Sequence, residues 1–445
     1  MRKYTLKAAS FLLIALILLT TFQTNSFIAV AEQSKENNRN NSEDFNSKKR
    51  EEYGLSTDAF TIRKLIEKYD GEKIIYEDFY MTVEEKKELD SRFSHQNEFV
   101  PKVKEKAKEL LTEDDFGGLY VSQEEGGILY VGVKNLNKKN NDRLNGIKNE
   151  YKDETKVKFI DMKHSEKELT IILDKIQNKW STYAIKGIGL QYTSLDTINN
   201  KIEIGLINNT AEAQQLFRDE YGDLFIFYKT EPSVHKEEGD TSTYVNPMQG
   251  GTNLHNYTAG NNCSAGFAAK SNAENLYWMV TAGHCYGTGA LNVVYHPTQS
   301  STNKLTLGVA VGNVRNSGKV DAMLIGVGLR SQLSNKLYYQ YVGSKTLTSY
   351  ATGSSEYVGQ HVCIASRSND SCGTILSTSL NYDDQTDITA ANYTAIPGDS
   401  GGTIFGNGVL FGVHEGDQQL SGSTVEGYTQ VENILTYFDI SPILD

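Results

Sequence analysis

Ser400 lies in the run Gly398-Asp399-Ser400-Gly401-Gly402, between two pairs of small residues. A serine hydroxyl alone is a weak nucleophile, and a positioned base is what activates it. Flanking glycines let backbone N–H groups crowd around the reacting atom, where they can stabilise an oxyanion. The plain alternative is a tight turn, for which Gly, Asp and Ser are equally suited. Residues 241–445 contain five histidines: His255, His284, His296, His361 and His414. His284 sits in "WMVTAGHC", where a strand-like run enters a turn of small residues that leaves the ring open to a substrate. Such a base needs a carboxylate to fix its tautomer and stabilise the imidazolium. Asp321 opens the apolar run "DAMLIGVG", otherwise free of charge, so its carboxylate is expected to face something specific. Taken singly, His284 reads as a structural histidine and Asp321 as a solvated strand start. Asp399 adjoins Ser400 and cannot also reach the far side of the ring, and Asp383, Asp384 and Asp387 read as a solvated run.

Taken in order, "TAGHC", "DAMLIGV" and "GDSGG" resemble the chymotrypsin-like serine proteases. More narrowly, "NCSAGFAA", "WMVTAGHC" and "GQHVCIASRSNDSCGTI" resemble the bacterial branch typified by alpha-lytic protease and the streptogrisins. The resemblance covers most of residues 244–435. It implies an all-β domain of two six-stranded antiparallel barrels with a triad in the cleft between them, acting on proteins or peptides. Ser400 would be the nucleophile, His284 the general acid/base and Asp321 the orienting carboxylate. The N–H groups of Gly398 and Ser400 would form the oxyanion hole, and Cys263–Cys285 and Cys363–Cys372 the disulfides.

The pattern also departs from those relatives. The stretch "NYTAIPGDSGG" lacks the cysteine they carry before the serine motif, and Ile364 stands where the alpha-lytic relatives place an Arg. Arg367 is near enough to partner Asp399 instead, and a hydrogen-bonded Asp399 would serve as well. Thr394 stands six residues before Ser400, where trypsin-type enzymes keep an Asp, which argues against a simple trypsin-like pocket. His414, in "FGVHEGD", is similar to the histidine with which glutamyl endopeptidases bind an acidic side chain, so Thr394 and His414 are the expected substrate-binding residues. Glu415 and Asp417 would oppose an anion if they faced the pocket. Strand alternation points Glu415 away from His414, and a bend at Gly416 leaves Asp417 harder to place.

These residues need elements to hold them. Residues 241–445 carry 25 of the 38 glycines but 8 of the 44 Lys/Arg and 14 of the 56 Asp/Glu. Short β-branched and aromatic runs there, such as "LNVVYH", "LTLGVAVGNV" and "GVLFGVH", predict an antiparallel barrel or sandwich. The charged part before residue 240 reads as α+β. "VEEKKELDSRF" and "FVPKVKEKAKELL" have helical spacing, and "GGLYVSQEEGGILYVGVKN" reads as a hairpin turning at Gly126-Gly127. "YMTVEEKKELDSRF", "FGGLYVSQEEGGILYVGVKN" and "YTSLDTINNKIEIG" resemble the pro-regions of alpha-lytic-type proteases, which imply a removable foldase and inhibitor over residues 32–240. A separate binding domain is the alternative. Residues 1–31, with Arg2, Lys3 and Lys7 before the apolar run Phe11–Leu19, read as a secretory signal peptide. The four cysteines then suit an exported protein with two disulfides, and they lack the Cys-x-x-Cys pairs a zinc site wants. No cofactor or metal is expected. The net charge of −12 argues against a nucleic-acid partner, and a membrane span is not expected. The chain is expected to act as a secreted monomer, made as a zymogen. A non-catalytic secreted binding protein on the same scaffold is the rival reading.

Overall fold

The computed structural model describes residues 43–69, 79–230, 243–256, 260–285, 293–308, 310–313, 318–339, 343–368, 370–382 and 384–444. The expected export segment 1–31 and most of the expected junction near residue 240 lie outside the described residues. The chain divides into two units, one of residues 43–69 with Phe79–Met81 and the other essentially Thr82–Asp445. The small unit contains helices at 43–52 and Ala59–Tyr69. Buried Arg50 ties it together, donating to the carbonyls of Ser56 (2.6 Å) and Tyr80 (3.0 Å).

The large unit begins with one helix, Val83–Leu111, so the two helical runs of the sequence join across residues 94–98, with Pro101 in the helix interior. Thr82 and Glu85 form a reciprocal capping box at its start. Leu89, Phe93, Gln96, Val100, Val103, Ala107 and Leu111 recur every three or four residues and are buried. An interior proline costs a helix about 3 kcal/mol, and burial of this face offsets it.

Two copies of one topology follow. Phe116–Ser122 and Ile128–Lys134 pair antiparallel, helix Asn141–Glu150 crosses, and Val157–Met162 returns parallel to the second strand. Leu190–Asp196, Lys201–Leu206, helix Ala211–Tyr221 and Phe225–Lys229 repeat the same path. The first hairpin turns at Gly126 and Gly127, both at positive φ as the turn requires.

Residues 243–444 are mostly β. Six strands close a ring in the order Val409–Leu420, Thr403–Gly406, His361–Ala365, Asp370–Leu380, Ile388–Ala391 and Ser423–Gln430, the last pairing back onto the first. Every neighbouring pair in the ring is antiparallel. Val362, Ile364, Ile375, Ile404, Phe411 and Tyr428 fill one buried cluster there. The rest of this part forms a five-stranded, a four-stranded and a three-stranded sheet among the described residues. A five-stranded sheet holds Tyr277–Thr281 and Met323–Val327 side by side, and a four-stranded sheet is stitched to it by the Gly308 N–H donating to the Gly326 carbonyl (2.7 Å). A three-stranded sheet pairs Leu333–Tyr339 with Gly343–Thr346 and Met248–Gly250. Disulfides join Cys263 to Cys285 and Cys363 to Cys372.

The second repeat lies along the ring. Thr193 and Asn381 exchange both backbone hydrogen bonds (2.9 and 2.8 Å), and Ser194 Oγ meets Ser377 Oγ at 2.7 Å. The Leu195 N–H donates to Ser379 Oγ at 3.2 Å. Phe93 of the long helix stacks on His361 with centroids 4.2 Å apart.

Candidate active site

Strand Tyr277–Thr281 ends in a short 3-10 turn, Gly283–Cys285, that carries His284. Asp321 stands two residues before Met323–Val327, the neighbouring strand in the same sheet. This pairing brings the two side chains together. Asp321 Oδ1 accepts the His284 backbone N–H at 2.9 Å, and Oδ2 lies 2.5 Å from His284 Nδ1. Asp321 is buried, while the His284 side chain keeps 28% of its exposure. The carboxylate therefore fixes the ring at Nδ1 and leaves Nε2 for chemistry.

Ser400 sits in the turn before Thr403–Gly406. Gly398 and Gly401 have φ of +98° and +86°. A Cβ on Gly398 would lie 2.3 Å from Arg367 Nη2, and one on Gly401 would lie 2.0 Å from Thr281 Oγ1, so both positions exclude a side chain. The Gly398 carbonyl accepts from Ser264 Oγ and Arg367 Nε, both at 3.1 Å. Neither the Gly398 N–H nor the Ser400 N–H has a hydrogen-bond partner among the described residues. The Ser400 hydroxyl donates to the Glu415 carbonyl at 3.4 Å, and no hydrogen bond joins it to His284. Such bonds are commonly long before a substrate binds.

Asp399 is buried, and burial pushes its carboxyl above the usual range. It accepts from Ser366 Oγ (2.7 Å), Ser368 Oγ and the Ile396 N–H (2.9 Å). Hydrogen bonds thus hold Asp399, and Arg367 spends its Nε on the carbonyl next door.

His284, Asp321, Gly398, Ser400, His414, Glu415 and Asp417 all line one cavity of about 410 Å³. His414 Nδ1 lies 2.9 Å from the Tyr393 hydroxyl, and Nε2 lies 3.8 Å from Glu426 Oε2. Burial pushes the His414 ring down to about 3 and the Glu426 carboxyl up to about 8, so near neutral pH the two form an uncharged pair rather than a salt bridge. Thr394 is outside the set that lines the cavity, and its N–H and hydroxyl both meet Ser371 Oγ.

No family model matches the chain, and a search of curated proteins finds no match. Solved structures similar to it include protease A of Thermobifida fusca, at 22% identity over 44% of this chain and 98% of that one, with a TM-score of 0.35. The Nocardiopsis protease is similar at 24% identity over 44% and 97% of the two chains, with a TM-score of 0.35. A third is a glutamic acid specific serine protease described as using a novel histidine triad in substrate binding. It has 22% identity over 44% and 100% of the two chains and a TM-score of 0.37.

Several residues of the site carried no sequence signal. Ser366, Ser368, Tyr393 and Glu426 reach it from other parts of the ring, through strand register that no local motif announces. One group of possible metal ligands occurs among the described residues, His361 with Cys363 and Cys372, but its two sulfurs are joined in a disulfide and offer no thiolate.

Proposed function

We propose that residues 241–445 are a chymotrypsin-like serine endopeptidase of two barrels, made as a secreted zymogen behind a removable region 32–240 and a signal peptide 1–31. The observation that carries the reading is the doubly hydrogen-bonded Asp321–His284 pair facing the same cavity as Ser400 and two unpartnered N–H groups. His284 takes the Ser400 proton as the hydroxyl attacks a peptide carbonyl. The Gly398 and Ser400 N–H groups hold the oxyanion, His284 protonates the leaving amine, and water hydrolyses the acyl-enzyme.

The P1 residue we assign is glutamate. His414 stands in the cavity wall. A neutral imidazole has one N–H, which in the free protein is engaged by the Gly427 backbone, so a P1 carboxylate would take that N–H in exchange, without the ring being charged. A cationic P1 is the second reading, favoured by Asp417 in the same wall. A non-catalytic binding protein is the rival from another class, and the Ser400 hydroxyl directed at Glu415 rather than His284 is the observation on its side.

One experiment separates enzyme from binder. The protein freed of residues 32–240 should label with a fluorophosphonate probe and digest casein, and Ser400→Ala should abolish both. Labelling that survives Ser400→Ala removes the assignment, and a folded wild type that neither labels nor cleaves from pH 5 to 10 favours the binder.

A further inference from the structure

Glu415 is the acidic residue of the cavity wall that the mechanism above leaves without a task. Its strand, Val409–Leu420, is bulged between His414 and Gly416: His414 faces Tyr428 and Gly416 faces Gly427, so Glu415 has no partner across the ladder. A bulge re-aims the side chain it carries. Here the carboxyl turns toward Asp321 and Thr429, away from His414, which meets Tyr393 and Glu426. The Thr429 hydroxyl donates to Glu415 Oε1 and accepts the Asp321 backbone N–H at 3.1 Å. Glu415 Oε2 is buried and makes no hydrogen bond of ordinary geometry among the described residues, and the Gln385 side chain, its Nε2 likewise unpaired, is close enough to offset part of the cost.

A buried carboxylate so weakly supplied with donors is costly, and a second anion beside Asp321 adds repulsion; a proton on Glu415 removes the charge that causes both. We propose that Glu415 is a positioning residue of the Ser400–His284–Asp321 site, holding Asp321 against His284 as a neutral carboxyl and releasing that hold when it ionises. The inference rests on the protease reading for its effect on rate, though the coupling itself belongs to the free protein. Burial first, and the Asp321 charge second, push the Glu415 carboxyl up to about 8. Other titrating or charged groups around it are His284, His414 and Asp417 in the cavity wall, Asp399 next to Ser400, Glu426 on the paired strand, and Tyr382 and Tyr393. Both tyrosines are themselves pushed upward by burial and stay neutral through this range.

The consequence is a pH profile with an alkaline fall. Ionising Glu415 lowers kcat/KM, because two adjacent buried carboxylates repel and Asp321 leaves the ring. In Glu415→Gln the group cannot ionise. The ratio of kcat/KM at pH 10 to that at pH 7.5 should therefore rise about tenfold over the wild type, a difference in transition-state stabilisation read directly from the rates. Thr429→Val, which cuts the link without removing the carboxyl, should shift the alkaline fall rather than erase it. In parallel, the Nδ1–H proton resonance of His284 should move with pH through the same midpoint in the wild type and not in Glu415→Gln. This second readout needs no activity. Superimposable profiles, or an Nδ1–H resonance indifferent to the substitution, overturn the proposal. A wild type that shows the resonance shift yet never labels with fluorophosphonate overturns the protease reading and leaves the Glu415–Asp321 coupling standing.

Discussion

His414 shows how a single residue's chemistry depends on what surrounds it. A histidine in a pocket suggests a cation for an acidic substrate, yet burial keeps this ring neutral and Glu426 beside it protonated. A bound glutamate would take one N–H from the ring, and a desolvated hydrogen bond to a charged group is worth about 1.5–3 kcal/mol. That predicts a tenfold to hundredfold preference for Glu over Gln at P1. Profiling a peptide library with the wild type and with His414→Ala checks it: cleavage after Glu should collapse in the variant. A preference for Lys or Arg would assign the pocket's charge to Asp417, and an aliphatic or aromatic preference would leave His414 a strand residue. At this scale the sequence singled out three residues that the fold brings to one cavity, His284, Asp321 and Ser400, because each stands in a local run of small or apolar residues. Glu426 was not, since its place opposite Asp417 depends on the register of two strands across a bulge.

Between elements, the seam of strand Leu190–Asp196 with the ring is the contact most open to test. The Thr193 N–H points to Asn381 and away from its own hairpin partner, so proline there removes a seam bond without removing one from the repeat's sheet. Leaving the Asn381 carbonyl unpaired costs about 1–3 kcal/mol. Once the junction near residue 240 is cut, Thr193→Pro should release residues 32–240 from 241–445 at least about fivefold faster in surface plasmon resonance. Unchanged dissociation would show that other contacts, among them Phe93 on His361, Val121 on Val358 and Glu203 on Ser421, govern the association. The sequence anticipated individual strands and the Gly126-Gly127 hairpin well, because alternation and turn residues are local signals. It read the Val83–Leu111 helix as two separate runs, because the polar stretch 94–98 between them carries too little apolar periodicity to join them. The repeated topology of the two small sheets was invisible, because parallel return strands leave no trace in spacing.

For the whole molecule, buried titratable groups set how stability varies with pH. Glu356, Glu415 and Glu426 are each pushed up to about 8, chiefly by burial. Their native forms hold protons that the unfolded chain has already lost, so their stabilisation is complete below about 4.5 and is lost as pH rises toward 8. His414, pushed down to about 3, and His296, also lowered by burial, work in the other direction: their contribution is complete above about 6.5 and lost as pH falls. The melting temperature should therefore peak near about pH 5–6 and drop by several degrees by about pH 8.5. Calorimetry on Ser400→Ala, which cannot digest itself under the protease reading, measures this. A melting temperature that climbs from pH 6 to 8.5 would show that the three carboxyls are ionised in the native state.

The seam against the ring joins Ser194 to Ser377 and Leu195 to Ser379, and beside them Tyr192 shares one buried cluster with Leu380, Ile388 and Leu420. Hydroxyls satisfied by one another when docked are satisfied by water when parted, but the tyrosine and the leucines are left bare. The strand edge bared at Asn381 is flanked by Leu380 and Tyr382, an apolar template for edge-to-edge pairing. A joint of this kind leaves both pieces prone to clump when it parts, unless something else covers them.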